Sequence, residues 1–166
     1  MKAKTTEALQ WIVTVLRQKN IPFQITGGLA AHIYGASRPI NDIDIDILEK
    51  DLARVTDAVH EYIIYGPARY RDKKWDVQLL TLKYHDQEID LGGALETKIY
   101  DEATGAWTPC VATLDTAQEH TIEGIELPVV EPQSLIAYKT LLTGAHQTTD
   151  IKAVRKYLQQ TGHENQ

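Results

Sequence analysis

Three aspartates at every second position, Asp42, Asp44 and Asp46, interleave with Ile43, Ile45 and Ile47. A period of two sends the acids to one face of a strand and the isoleucines to the other, so one face is buried and the other anionic. At about 3.3 Å of rise per residue, carboxylates two apart stand about 7 Å apart at their backbones. Their side chains can then converge on one cation, or on two ions about 3.5–4 Å apart. Without a cation they repel, and the stripe therefore reads as a divalent-metal site. A charge-protected edge strand is the plainer alternative, but that device favours Lys or mixed charge. A calcium loop of EF-hand type is excluded, because Ile47 stands where the loop needs Gly and Ala53 where it needs Glu.

Upstream, Ile21 to Thr26 reads as a strand that runs into Gly27-Gly28 and a short helix, Leu29 to Tyr34. Glycines in such a turn let backbone N–H groups approach a ligand closely, and a helix start adds a field that favours anions. A glycine pair alone is most often a plain turn. Here the acidic strand that follows supplies the context of a phosphate and its metal.

Gly27-Gly28, the short helix, Arg38 four residues ahead of Asp42, and Asp42-x-Asp44 together resemble the DNA polymerase β-like nucleotidyltransferases. More narrowly, they are similar to the small bacterial branch that holds aminoglycoside and lincosamide nucleotidyltransferases and toxin-associated relatives. The resemblance implies an α+β fold, a small mixed sheet with helices packed on one side and a short C-terminal helical part. It makes Asp42 and Asp44 the paired metal ligands and Asp46 an extra acid on the same face. It also asks for a third carboxylate on a neighbouring strand. The hairpin from Val77 to Leu91 offers Asp90, which lies between Ile89 and Leu91 and so faces away from their core side, with Glu88 on the same face as the second candidate.

Towards the end of the chain the resemblance casts Lys139, on a helix with Pro132 in its first turn, as a contact to the triphosphate. It casts Asp150 as a cap of the next helix, beginning near Thr148, and as a partner of Lys139. Many members carry Gly-Ser where this chain has Gly27-Gly28, which leaves the triphosphate to backbone amides, Lys139 and Arg38. Two readings of Arg38 stay open, a phosphate contact and an ion pair with the acidic strand. The implied activity is transfer of a nucleoside monophosphate from an NTP, with ATP expected, to a hydroxyl, using two Mg²⁺ ions and releasing pyrophosphate. An aminoglycoside- or lincosamide-like small molecule is the expected acceptor. The alternatives are a toxin–antitoxin-type protein acting on tRNA or a protein, and a nucleotide-binding regulator without turnover.

The elements that must position these residues follow from periodicity. A helix is expected over Thr6–Lys19, with Leu9, Ile12, Val13 and Leu16 on one face, then strand Phe23–Thr26, strand Ile43–Leu48 and helix Asp51–Tyr62. A second hairpin turns at Glu123-Gly124, from Gln118–Ile122 into Ile125–Val130. Between the hairpins, Ala94 to Thr116 is ambiguous apart from a turn at Thr104-Gly105, and Trp107 is either core or substrate-facing. A chain of 166 residues fits one domain, with a nucleotidyltransferase core over 1–130 and a helical extension over 131–166.

The net charge of −6 disfavours long nucleic acid, which leans on basic surfaces. The basic run Arg69 to Lys74 is the one segment that could touch a tRNA end, and it reads as a solvated loop. An acidic balance suits a cationic acceptor. The 43% hydrophobic content contains no membrane-spanning run, and Met1-Lys-Ala-Lys does not open a signal peptide, so a cytoplasmic protein is expected. The single Cys110 excludes an internal disulfide. By resemblance, a homodimer or a cognate partner protein is compatible with the chain.

Overall fold

The computed structural model describes residues 1–162; the last four residues of the expected helical extension lie outside the described residues. Helix α1 (Ala3–Gln18) buries Leu9, Ile12, Val13 and Leu16, and ends where Asn20 takes a left-handed conformation ahead of Pro22. Strand β1 (Phe23–Thr26) leads directly into α2 (Gly27–Ile33), and β2 (Asp42–Ile47) carries the aspartate stripe. The stripe's other face is core, with Ile43, Ile45 and Ile47 each at most 1% exposed. Helix α3 (Glu49–Val59) and a single 3₁₀ turn connect β2 to β3 (Ile63–Arg71).

Strand β4 (Trp75–Tyr84) and β5 (Gln87–Gly93) form the expected hairpin, turning at His85 and Asp86, both with positive φ. The ambiguous stretch resolves into a further hairpin, β6 (Lys98–Asp101) and β7 (Ala106–Pro109), with Gly105 in its turn. Strands β8 (Gln118–Ile122) and β9 (Ile125–Val129) turn at Glu123-Gly124, both left-handed, as a two-residue hairpin requires. The chain closes with α4 (Pro132–Leu141) and α5 (Ala145–Thr161).

All nine strands form one mixed sheet in the order β7-β6-β4-β5-β2-β1-β9-β8, with β3 paired to β4. The β2–β5 and β1–β9 pairs are parallel and the rest antiparallel. Tyr34, at the end of α2, donates its hydroxyl to the Val130 carbonyl at 2.7 Å and ties the glycine turn to the β9 end. No helix among the described residues is long and apolar enough to cross a membrane.

Three local expectations change. Arg69 and Arg71 sit in β3 rather than in a solvated loop, because Arg69 pairs with Asp76 across the hairpin at 2.6 Å and Arg71 stacks over Trp107 at 4.9 Å. Trp107 is accordingly neither core nor part of the candidate site. Asp150 does not cap a helix: α5 begins at Ala145 behind Gly144, and Asp150 lies fully buried inside it.

Candidate active site

Register assembles the site. Thr26 on β1 is opposite Asp44 on β2, Asp44 is beside Asp90 on β5, Asp90 is opposite Thr81 on β4, and Thr81 is opposite Tyr65 on β3. Neighbouring strands run about 4.8 Å apart, so this row crosses five strands with its side chains on the face opposite the isoleucine core. One pleat away, Asp42 is beside Glu88 and Asp46 beside Gly92. The row and its neighbours, including Asp42, Asp46 and Glu88, line a single cleft of ≈ 730 Å³ together with Gly27, Gly28, Arg38 and Lys139.

Clustered acids with little water around them bind protons more tightly than free carboxylates do. Asp44 is pushed up to about 7, first by burial and then by the charges of Asp90 and Asp42. Asp90 rises to about 6 through burial, although the Thr81 hydroxyl donates to it at 2.6 Å and works the other way. Asp46 rises to about 6 through burial against a hydrogen bond from Gln24 at 2.9 Å. The glycine turn closes against this cluster. Gly27 has a φ of +62°, and a Cβ there would run into the Asp44 carboxylate.

The cationic side is built around Asp150. Arg38 grips its carboxylate with two bonds, at 2.7 and 2.6 Å, and Lys139 donates to it at 2.9 Å and to Gln147 at 2.8 Å. Two cations on one acid leave a net positive charge facing the cleft beside the acidic strand. Arg38 thus forms its ion pair with Asp150 rather than with the acidic strand, because the fully buried Asp150 carboxylate takes both arms of the guanidinium. Its Nη2 also lies 2.8 Å from where a Cβ on Gly28 would stand.

The fold implies a divalent cation here. Asp44 and Asp90 offer hard oxygen ligands whose mutual repulsion a cation relieves, and the same cleft opens beside them, so the donor chemistry fits Mg²⁺. Among the described residues no three acidic, histidine or cysteine side chains form a ready-made cage. Mg²⁺ is commonly held by one or two carboxylates, keeping waters and substrate phosphates for its remaining positions.

A protein-family comparison places residues 8–162 in the aminoglycoside-2''-adenylyltransferase family. The chain belongs to that family. It is thereby a nucleotidyltransferase-family protein of the DNA polymerase β-like group. Among solved structures it is similar to a Thermotoga maritima protein classed as a nucleotidyltransferase, with 18% identity, 96% of each chain covered and a TM-score of 0.71. It is also similar to ANT(2'')-Ia in complex with adenylyl-2''-tobramycin, with 15% identity, 96% of this chain and 92% of that one covered, and a TM-score of 0.64. A lincosamide antibiotic adenylyltransferase with lincomycin bound aligns at 13% identity over 91% of this chain and 96% of its own, with a TM-score of 0.61. At such identities these likenesses speak to the fold. No curated protein matches by sequence.

In this adenylyltransferase-family chain, two parts of the cleft escape sequence reading. Thr81 holds Asp90, and its signal was available, since it shares the outward face of β4 directly across the hairpin from Asp90. Tyr138 lines the cleft one residue before Lys139, and its hydroxyl is pushed far above the usual range by burial and then by the Asp44 charge. Nothing in the spacing of α4 distinguished Tyr138 from a core residue.

Proposed function

We propose that this protein transfers a nucleoside monophosphate, with ATP as the expected donor, to a hydroxyl on a small-molecule acceptor. The observation that carries the reading is the pairing of Asp44 with Asp90 on adjacent parallel strands, beside a left-handed Gly27 and a buried Lys139. Asp42 and Asp44 would hold two Mg²⁺ ions, which when bound would neutralise phosphate charge and ease ionisation of the acceptor hydroxyl.

The chain's own residues do the rest. Backbone amides at Gly27 and Gly28 and the ammonium of Lys139 hold the β- and γ-phosphates, so charge building on the departing pyrophosphate meets donors already in place. Asp90 has one of two roles: it ligates the second ion or, with burial raising its proton affinity while it is unligated, it accepts the hydroxyl proton. The acceptor oxygen forms its bond to the α-phosphorus as the bond from that phosphorus to the bridging oxygen breaks. Pyrophosphate leaves with the electron pair. An antibiotic-like acceptor, of aminoglycoside or lincosamide type, is in keeping with the family.

Calorimetric titration with ATP, CTP, GTP and UTP in Mg²⁺, beside EDTA and an Asp42→Ala/Asp44→Ala control, tests the reading. Metal-dependent binding that the control loses is the expected result. Absence of binding by all four nucleotides would overturn it.

A further inference from the structure

Three rows of side chains cross the cleft face of the sheet, and their chemistry differs. At one end Asp42 stands beside Glu88, which is opposite Lys83. The middle row carries Thr26, Asp44, Asp90 and Thr81. At the other end Gln24 is opposite Asp46, Asp46 is beside Gly92, and Gly92 is opposite Leu79, so Asp46 is the one charge that β1, β2, β5 and β4 bring to that row.

Nothing in the backbone asks for glycine at position 92. Gly92 lies inside β5 with φ outside the left-handed region, and a Cβ there would meet only the Val77 side chain, at 3.6 Å. What the missing side chain leaves is bare backbone between Asp46 and Leu79, and glycine within a strand often marks the close approach of a ligand. The Cys110 amide donates to the Thr97 carbonyl at 2.8 Å and the Ala112 amide to the Ala94 carbonyl at 2.7 Å, which seats residues 110–112 beside the chain leaving β5. Cys110, Val111 and Ala112 then line the cleft together with Gly92 and Tyr138. Cys110 and Tyr138 both stand within electrostatic reach of Asp46. Burial first, and the Asp46 charge after it, push the Cys110 thiol up to about 11, while Tyr138 is raised by burial and then by the charges of Asp44 and Asp46.

Asp46 is also held in one orientation. Gln24, completely buried, donates to one of its oxygens at 2.9 Å, and the other oxygen has no hydrogen bond among the described residues. The Gln24 carbonyl oxygen is itself buried without a partner. A half-satisfied buried amide costs stability that an apolar side chain at position 24 would not. What the amide contributes instead is the aim of the Asp46 carboxylate.

An in-line displacement sets the attacking oxygen and the leaving pyrophosphate on one axis. With pyrophosphate at Gly27, Gly28 and Lys139 and the acceptor arriving past Asp90, that axis follows the middle row. The nucleoside therefore leaves the α-phosphorus sideways, along the strands. Towards Asp42 it would meet two adjacent carboxylates. Towards Asp46 it meets the bare Gly92 backbone, apolar side chains and a single acid, which suits an uncharged planar ring. A carboxylate only accepts hydrogen bonds, so it favours a ring edge that carries an amino group and repels one that carries a carbonyl oxygen.

We propose, resting on the nucleotidyl-transfer reading, that the Asp46 end of the cleft is the nucleobase site and that Asp46, aimed by Gln24, selects the donor nucleotide by accepting the exocyclic amino group of a 6-aminopurine. Gln24 is a positioning residue for that contact.

The test is calorimetric binding of ATP and ITP, which differ at the 6-position of the base, to the whole protein in Mg²⁺ at pH 8. ATP should bind about 10- to 100-fold more tightly, as expected for a hydrogen bond to a charged group. Asp46→Ala should bring the two within about threefold of each other while binding stays Mg²⁺-dependent, and Gln24→Met should narrow the ratio in the same direction. A merely structural role for Gln24 would lower both affinities and leave their ratio alone. In the wild type, ATP with Mg²⁺ should slow methyl methanethiosulfonate labelling of Cys110, the single cysteine, whereas magnesium tripolyphosphate, which fills only the phosphate positions, should not. Equal binding of ATP and ITP, or tripolyphosphate protecting Cys110 as well as ATP does, would overturn the proposal. So would an Asp46→Ala variant that weakens ATP and ITP alike and needs more Mg²⁺, since Asp46 would then be a metal ligand. If neither nucleotide binds, the nucleotidyl-transfer reading falls and the base site with it; if both bind equally, the base site alone falls.

Discussion

Replacing Asp150 with Asn should destabilise the protein by about 3 kcal/mol, because it removes the one acid shared by two cations in a dry place. Asp150 is fully buried, Lys139 is 3% exposed at its side chain and Arg38 23%, so water can compensate little. The variant keeps the shape and a hydrogen-bonding oxygen, and leaves Arg38 and Lys139 facing each other. For a chain of this size, about 3 kcal/mol corresponds to a fall in Tm of about 6–12 °C. The pH dependence carries the same signature. Burial alone would raise Asp150, but hydrogen bonds from Arg38 and Lys139 outweigh it and hold the carboxyl below the usual range. A group whose folded value is depressed lends stability above its unfolded value of about 3.9 and loses it as pH falls through the folded value. Wild-type stability should therefore drop steeply below about pH 4, and Asp150→Asn should show a shallower acid limb. Urea unfolding across pH, combined with Lys139→Met in a double-mutant cycle, measures this. The double variant should be more stable than the sum of the two losses by at least about 1 kcal/mol, because removing Lys139 relieves the repulsion left once position 150 carries a neutral amide. A loss below about 0.5 kcal/mol with additive singles would show that the buried pairing does not hold the cationic side together.

Gly27→Ala should lower nucleotide affinity at least tenfold and cost about 1–3 kcal/mol of stability, since its Cβ would combine a left-handed backbone with a collision at Asp44. Gly28→Ala should be milder, because the obstructing group is the mobile end of Arg38; calorimetry and thermal melts compare the two. In metal-free protein, Asp44 at about 7 binds a proton more tightly folded than unfolded, so stability should rise as pH falls from 8 towards 5. Asp44→Asn should raise stability at pH 8 by about 1–3 kcal/mol and flatten that slope while abolishing transfer, and an unchanged slope would refute the cause given for the shift. Thr81→Val removes the hydroxyl that holds Asp90 down, so the acidic limb of kcat/KM should move upward in pH, by about half a unit or more, with little change in KM for nucleotide.

The acidic side of the site was legible in the sequence because it depends on local alternation. Asp42, Asp44 and Asp46 face one way whenever Ile43, Ile45 and Ile47 are buried, and Asp90 follows from Ile89 and Leu91 by the same rule. That Asp44 and Asp90 stand side by side depends on parallel pairing of β2 with β5, a register that no local pattern states and that the family resemblance supplied. The cationic side was legible only in part for the same reason. Arg38 and Asp150 are 112 residues apart, and nothing near either one marks the other as its partner. Lys139 and Asp150 lie on consecutive helices, where proximity follows from a short connection, and their ion pair at 2.9 Å is the partnership that the resemblance implies. The β3–β4 wall was hidden by its composition. Arg69, Arg71 and the Lys pair after them read as solvent, while Ile64, Tyr65 and Tyr70 acquire their meaning only when β3 folds back onto β4 and sets them beside Val77 and Thr81. Because the acids are placed by alternation and the β3–β4 side of the cleft by long-range pairing, that side is the part of the cleft that the sequence alone discloses least.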